Sequence, residues 1–110
     1  MAPEARPPTI VMRLHRVRAE VVLAACDAEL LEREIPVGSR GRCVKVSAQF
    51  YGERRVGREE FVWALRKATI ANLLGVEVCR VAQEEGYIRE GGCGTLGGIP
   101  HAEIFTMVGS

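Results

Sequence analysis

The chain has 110 residues, 15 basic and 14 acidic side chains, and a formal net charge of +1. That length is one globular domain, long enough to bury roughly 65% of its unfolded surface. A composition that is 47% hydrophobic and 26% charged excludes a disordered tail, a collagen-like repeat and a multi-domain enzyme.

The charged residues are almost all Arg or Glu; only Lys45, Lys67 and Asp27 are of other types. Such a surface suits ion-pair networks and a hot working temperature, although nucleotide bias in a genome produces the same vocabulary. No apolar run reaches the length of a membrane span. Residues 1–8 hold Pro3, Pro7 and Pro8 with Glu4 and Arg6, which reads as a disordered leader rather than a signal peptide, so a cytoplasmic location is expected. Cys26, Cys43, Cys79 and Cys93 contain no C-x-x-C pair. They read as buried or half-buried free thiols, and neither a metal nor a cofactor is expected.

Residues 9–110 are expected to form a single α+β domain. Thr9 to Arg16 alternates, with Ile10, Met12 and Leu14 on one face, and predicts a strand. Glu20 to Cys26 alternates again through Val21, Leu23 and Ala25, so the two strands form a hairpin turning near Arg16–Arg18. Asp27 stands where an N-cap would, ahead of a two-turn helix from Ala28 that Pro36 and Gly38 end. A third strand is expected over Arg42–Ala48, followed by a polar loop between Gly52 and Gly57.

Arg58 opens the strongest helical pattern. Phe61, Leu65 and Ala68 form one stripe, and Trp63, Ile70 and Leu74 a second on the opposite side. A helix apolar on both sides is buried twice or broken, and Gly75 is the expected break before a second helix over about Val76–Glu85, with Gly86 as its C′ residue. Six glycines between Gly86 and Gly98 make a flexible turn, with room for a short strand near Tyr87–Arg89. Ala102–Val108 closes the chain as a strand. The expected architecture is a sheet of four or five strands packed against two or three helices, in an α+β rather than a doubly wound arrangement.

Few motifs carry chemistry. Gly92-Cys93-Gly94-Thr95-Leu96-Gly97 matches the dinucleotide-binding pattern in letters, but it follows a helix and leaves too little chain for the rest of that unit. His101, with Glu103 two residues on in a strand, is a candidate for acid–base work or a structural hydrogen bond at the strand entry. Phe50-Tyr51 beside Arg54-Arg55 has the residue types that hold single-stranded nucleic acid, rings stacking on bases and guanidinium groups meeting phosphates. The same aromatics could instead cover one end of the core. Asn72 is expected either to cap the second helix or to join a buried polar contact.

Charge is unevenly distributed. Residues 1–58 carry 11 basic and 7 acidic groups, whereas residues 59–110 carry 4 basic and 7 acidic. A basic first half that includes Arg13, Arg42, Arg54 and Arg55 could track phosphates, or the two halves could pair with each other.

Four segments taken together, Val22-Leu23-Ala24-Ala25-Cys26-Asp27-Ala28-Glu29-Leu30-Leu31, Phe50-Tyr51-Gly52, Ala68-Thr69-Ile70-Ala71-Asn72-Leu73-Leu74-Gly75 and Gly97-Gly98-Ile99-Pro100-His101-Ala102-Glu103, resemble the small archaeal family known as domain of unknown function 424. The resemblance covers nearly the whole chain after Pro8. Glu103 stands where that family's pattern carries Gln. The resemblance implies an archaeal, cytosolic, single-domain protein without an established activity, and it singles out Asn72 and His101 as site candidates. The leading expectation is a non-enzymatic module binding RNA or a ribonucleoprotein, through Arg13, Arg42, Phe50, Tyr51, Arg54, Arg55, Asn72 and His101. The alternatives are a protein–protein adaptor or homodimer using Trp63, Ile70 and Leu74, and a small enzyme using His101.

Overall fold

The computed structural model describes residues 9–106, so the leader expected over residues 1–8 lies outside the described residues, as does the end of the closing strand. The elements in order are β1 (Ile10–Val17), β2 (Glu20–Asp27), a single 3-10 turn (Ala28–Leu30), β3 (Glu34–Val37), β4 (Arg42–Lys45), α1 (Ala48–Tyr51), β5 (Arg55–Val56), α2 (Arg58–Lys67), β6 (Ile70–Leu74), α3 (Val76–Glu84), β7 (Gly94–Leu96) and β8 (Ile99–Phe105). The α+β class holds, but four or five strands is too few. Six strands form a mixed sheet in the order β5-β1-β2-β6-β8-β7, and β3 and β4 pair as a separate two-stranded sheet.

β2 is the axis of the molecule. It lies antiparallel to β1 and parallel to β6, and its Leu23, Ala24, Ala25 and Cys26 are all fully buried. Parallel neighbours cannot be joined by a tight turn. The chain between β2 and β6 therefore makes a long crossover, which supplies α2 to one face of the sheet and the β3–β4–α1 layer to the other. On the first face Met12, Leu23, Ala25, Ala71, Leu73 and Ala102 join Phe61 and Leu65 of α2 and Val78 and Val81 of α3 in one buried cluster. On the second face Val11, Ala24, Cys26 and Leu74 pack with Leu30, Ile35, Val46 and Tyr51.

Several expectations are corrected. The helix after Asp27 is only the 3-10 turn, because the chain turns at Glu32, whose φ is 68°, and continues into β3. The third strand stops at Lys45, since Ser47 caps α1 by accepting a hydrogen bond from the Gln49 N–H. The polar loop after Gly52 contains β5. The largest change is at Ile70–Leu74, which is a strand and not a helix. α2 ends at Lys67, and Thr69 then switches the chain to sheet pairing: its N–H donates to the Val21 carbonyl, and its Oγ1 accepts from the Val21 N–H while donating to Glu20.

With Asn72 its one polar residue, β6 has no polar alternation, so its apolar run reads like an extension of the helix before it. The stripe of Trp63, Ile70 and Leu74 consequently does not exist. Trp63 lies on the outer side of α2 with 54% of its surface exposed, whereas Ile70 and Leu74 lie on the sheet face away from α2, Leu74 buried and Ile70 half-buried.

α3 spans nearly the predicted range. Gly86 closes it, with the Tyr87 N–H donating to Ala82 and the Gly86 N–H to Gln83, the paired bonds of a Schellman ending. The glycine-rich segment is ordered by the β7–β8 hairpin, in which Leu96 pairs with Ile99. Gly97 and Gly98, at φ 58° and 82°, form the two-residue turn, and a Cβ on Gly97 would overlap Ile35 and Pro36 of β3. No strand forms at Tyr87–Arg89.

Asp27 does act as a helix cap, but for a helix far along the chain. Its carboxylate accepts hydrogen bonds from the N–H groups of Glu77 and Val78, each at 3.0 Å, at the start of α3. Gly75 permits this approach: its φ is 132°, and a Cβ there would occupy the space of the Asp27 carboxylate. Only 9% of Asp27 is exposed. Burial pushes its pKa up, opposed by the two N–H donors. Asp27→Ala should cost about 2–4 kcal/mol, because two helix-end donors then lose their acceptor away from water. Gly75→Ala should cost a comparable amount by displacing the carboxylate. Urea unfolding midpoints read both, with Glu29→Ala, an exposed neighbour, expected within about 0.5 kcal/mol of the parent.

Candidate functional site

Directly paired residues on neighbouring strands share a face. The register of β1, β2, β6 and β8 therefore lays the second face out in rows. His15, Val22, Ile70 and Phe105 form the first row; Arg13, Ala24, Asn72 and Glu103 the second; Val11, Cys26, Leu74 and His101 the third. The β3–β4–α1 layer covers the third row, burying Val11, Cys26 and Leu74. The same cluster takes in Ala24 of the second row, so the face is open along the first row and at Arg13 and Glu103 of the second. Val22 and Ile70 are half-buried and Phe105 is 69% exposed.

α1 forms one wall of this open half. Phe50 stacks on the His15 ring at a centroid distance of 5.3 Å, and the His15 Nε2 lies 2.6 Å from the Phe50 carbonyl oxygen. Tyr51 meets Phe50 edge-on at 4.8 Å. One guanidinium N–H of Arg13 donates to the Gln49 carbonyl at 3.2 Å, leaving the remaining donors of the fork facing outward. Tyr51 is buried, and its hydroxyl donates to the Asn72 Oδ1 at 3.0 Å. Burial, with Cys26 nearby, pushes the Tyr51 hydroxyl up to about 12, so it remains a donor across the working pH range.

Of the residues singled out in the sequence, Arg13, Phe50, Tyr51 and Asn72 converge here. Asn72 caps no helix; it takes the polar-contact alternative. Phe50 and Tyr51 divide the two roles weighed for them, Tyr51 serving the core while Phe50 stays partly exposed at the wall. His101 shares the face but stands in the covered row, half-buried, between Leu74 of β6 and Gly94 of β7. Among the described residues no side-chain hydrogen bond reaches its ring. Arg55 extends the covered row at the sheet edge opposite Val11. Arg54 is engaged with Glu60, and Arg42 lies on the two-stranded sheet, so neither joins the open rows.

His15, Val22 and Phe105 are not among the residues the sequence singles out, and Ile70 is singled out there only for a helical stripe with Trp63 and Leu74. The signal available was strand phase: His15 follows Arg13 by two, and Phe105 follows Glu103 by two.

The thiols are mostly inert. Burial raises Cys26 and Cys79 to about 12, with Cys93 beside Cys79 adding to the shift. Cys43 is exposed on β4 and corrects the expectation of buried or half-buried cysteines. Among the described residues no three His, Cys, Asp or Glu side chains converge as a metal site. Nor is any helix among them long and apolar enough to cross a membrane.

Fold and face together define a small α+β domain whose mixed sheet is covered on one side and left half-open on the other. The chain belongs to the family described as Protein of unknown function (DUF424), whose model matches residues 15–107. It is similar to an uncharacterized conserved protein from the archaeon Methanopyrus kandleri, known from a crystal structure, with 30% identity and a TM-score of 0.75. The likeness covers 87% of this chain and 90% of that one. No curated protein matches the chain.

Tyr51→Phe removes the donor to Asn72 and should lower stability by about 1 kcal/mol at neutral pH. An unfolded tyrosine ionises near about 10. Because folded Tyr51 stays protonated to about 12, it makes the protein lose stability as pH rises from about 10 towards 12. Denaturant titrations of parent and variant over that range should show the parent falling by about 2–3 kcal/mol more than Tyr51→Phe.

Proposed function

We propose that the open half of the sheet binds single-stranded RNA. The observation that carries this reading is the coincidence, on one uncovered sheet face, of outward-facing donors on Arg13, the His15–Phe50 stack and the exposed Phe105 ring. Bases stack on such rings whatever their sequence, and the guanidinium meets the phosphates between them. Val22 and Ile70 supply an apolar floor between the two aromatic edges.

Electrostatics also supports an anionic partner. Of the carboxylates on α2 and α3 and at its end, Glu60 pairs with Arg54, Glu85 with Arg58, and Glu77 and Glu84 with Arg80 or Arg58. Arg13, Arg16, Arg18, Arg33, Arg40, Arg42 and Arg55 have no carboxylate partner among the described residues. The positive excess of the first half is therefore available to an anion.

A mixed-sequence single-stranded RNA, followed by fluorescence anisotropy between about 50 and 200 mM salt, should bind with an affinity that falls as salt rises. Arg13→Ala should flatten the salt slope by about 0.7, the increment for one phosphate contact on a single strand. Phe105→Ala should weaken binding by about 1–3 kcal/mol, the range for one stacked base. Arg66→Ala on α2 should change neither. Undetectable binding at low salt, or binding indifferent to both Arg13 and Phe105, would remove the reading.

A further inference from the structure

We infer that Asn72 and Glu103 form a base-reading pair selective for guanine within this face. The inference rests on the single-stranded RNA reading above and names the base that the face prefers.

The argument begins with register. Asn72 on β6 lies directly opposite Glu103 on β8. The Gly75 N–H donates to the Pro100 carbonyl and the Thr106 N–H to the Thr69 carbonyl, so the hydrogen-bonded pairs of this ladder fall at alternate positions from those two. Asn72 and Glu103 therefore occupy a non-hydrogen-bonded position, where facing Cα atoms approach to about 4.5 Å and side chains lie closest.

The amide is also oriented. The Tyr51 hydroxyl occupies the Asn72 Oδ1. The Nδ2 group is turned away from that contact, and among the described residues no acceptor engages it. Glu103 is exposed, and its carboxylate likewise has no cationic partner among the described residues. The face thus presents an amide donor beside a two-oxygen acceptor, with Phe105 two residues along on the same side of β8 to stack on whatever is read.

One base matches that pattern along its whole Watson–Crick edge. Guanine presents an acceptor at O6 and donors at N1 and N2: O6 accepts from the Asn72 Nδ2, while N1–H and N2–H donate to the two Glu103 oxygens. Uracil satisfies the first two contacts but brings its O2 against the second carboxylate oxygen. Adenine and cytosine set a ring-nitrogen acceptor against the carboxylate. Leaving such groups unpaired or opposed is the usual source of discrimination between bases.

The test uses the full chain and uridine-tract RNA octamers that carry at the centre one guanosine, inosine, adenosine or no replacement. Guanosine should bind about 10- to 100-fold more tightly than adenosine. Inosine, which lacks only the N2 amine, should fall between them. Glu103→Gln, an exposed change that spares the fold, should reduce the guanosine preference at least about fivefold, read as the ratio of guanosine to adenosine affinity within the variant. Asn72→Leu should also reduce the preference, with circular dichroism and urea unfolding confirming that it is folded. Equal, salt-dependent binding of all four oligomers would overturn the guanine assignment and leave the RNA reading standing. A preference that survives Glu103→Gln would also overturn it. Absence of binding to every oligomer at low salt would overturn both.

Discussion

A single carboxylate fixes how the two halves of this molecule meet. Asp27 ends the central strand and caps α3, so the end of β2, the end of β6 and the start of a helix are tied together at one point. The bond is electrostatically tense. Removing a carboxylate from water favours its protonated form, whereas two N–H donors and the positive end of the helix favour its ionised form. The upward displacement of its pKa shows that burial is the larger effect. Its value to the structure is geometric: with a glycine at position 75, the chain can leave β6, turn sharply and run α3 back over the sheet.

That arrangement determines what each face of the sheet becomes. α3 and α2 lie together on one side and bury it from Met12 to Ala102. The crossover between the parallel strands β2 and β6 must also pass the other side, where it leaves only the short β3–β4–α1 layer. A four-residue helix and a two-stranded sheet cover the third row and the Ala24 position of the second, and leave the rest of the face open. The half-open face is thus a consequence of topology rather than of any local feature. Where the layer ends, the residues change character: Cys26 and Leu74 in the covered row give way to Arg13, Asn72 and Glu103 in the next. Tyr51 stands on the boundary, its ring in the apolar cluster and its hydroxyl on the first polar group outside it.

How much of this was legible in the sequence follows from what each signal reports. β1 is readable because alternation runs from Met12 to Arg16, β2 as the hairpin partner that must follow it, and α3 because its apolar set keeps a helical period up to Gly86. β6 is not, since its apolar run, broken only by Asn72, carries no polar alternation to separate it from α2. The cap was read correctly in kind and wrongly in place: Asp favours the start of a helix, but a preference for a partner type says nothing about which helix, and here the partner lies 50 and 51 positions away. The same limit applied to the site. Arg13, Phe50, Tyr51 and Asn72 could be chosen for their chemistry, yet Glu103 acquires its relation to Asn72 only through the register of β6 and β8. Phe105 and His15 follow from that register too, being ordinary members of amphipathic strands until the open rows are known.

The charge distribution completes the picture. A net charge of +1 on a chain this rich in Arg and Glu would ordinarily leave an anion little to find. The ion pairs show why near-neutrality is not uniform. Arg58 bridges to Glu84 and Glu85, and Arg80 joins Glu77 and Glu84, so one network spans α2 and α3. Exposed pairs of this kind contribute little to stability. Their larger effect is to cancel charge locally on the helical side, where Arg58 and Arg80 each meet carboxylates within hydrogen-bonding distance. The two halves of the chain do pair, but among the described residues only Arg54 and Arg58 cross between them. Arginines on β1, β4 and β5 keep their charge, and β1 and β5 form one edge of the sheet whose second face is half-open. Sheet topology leaves that face uncovered, and ion pairing leaves positive charge along its edge. Both conditions match this part of the surface to the stacking anionic partner proposed above.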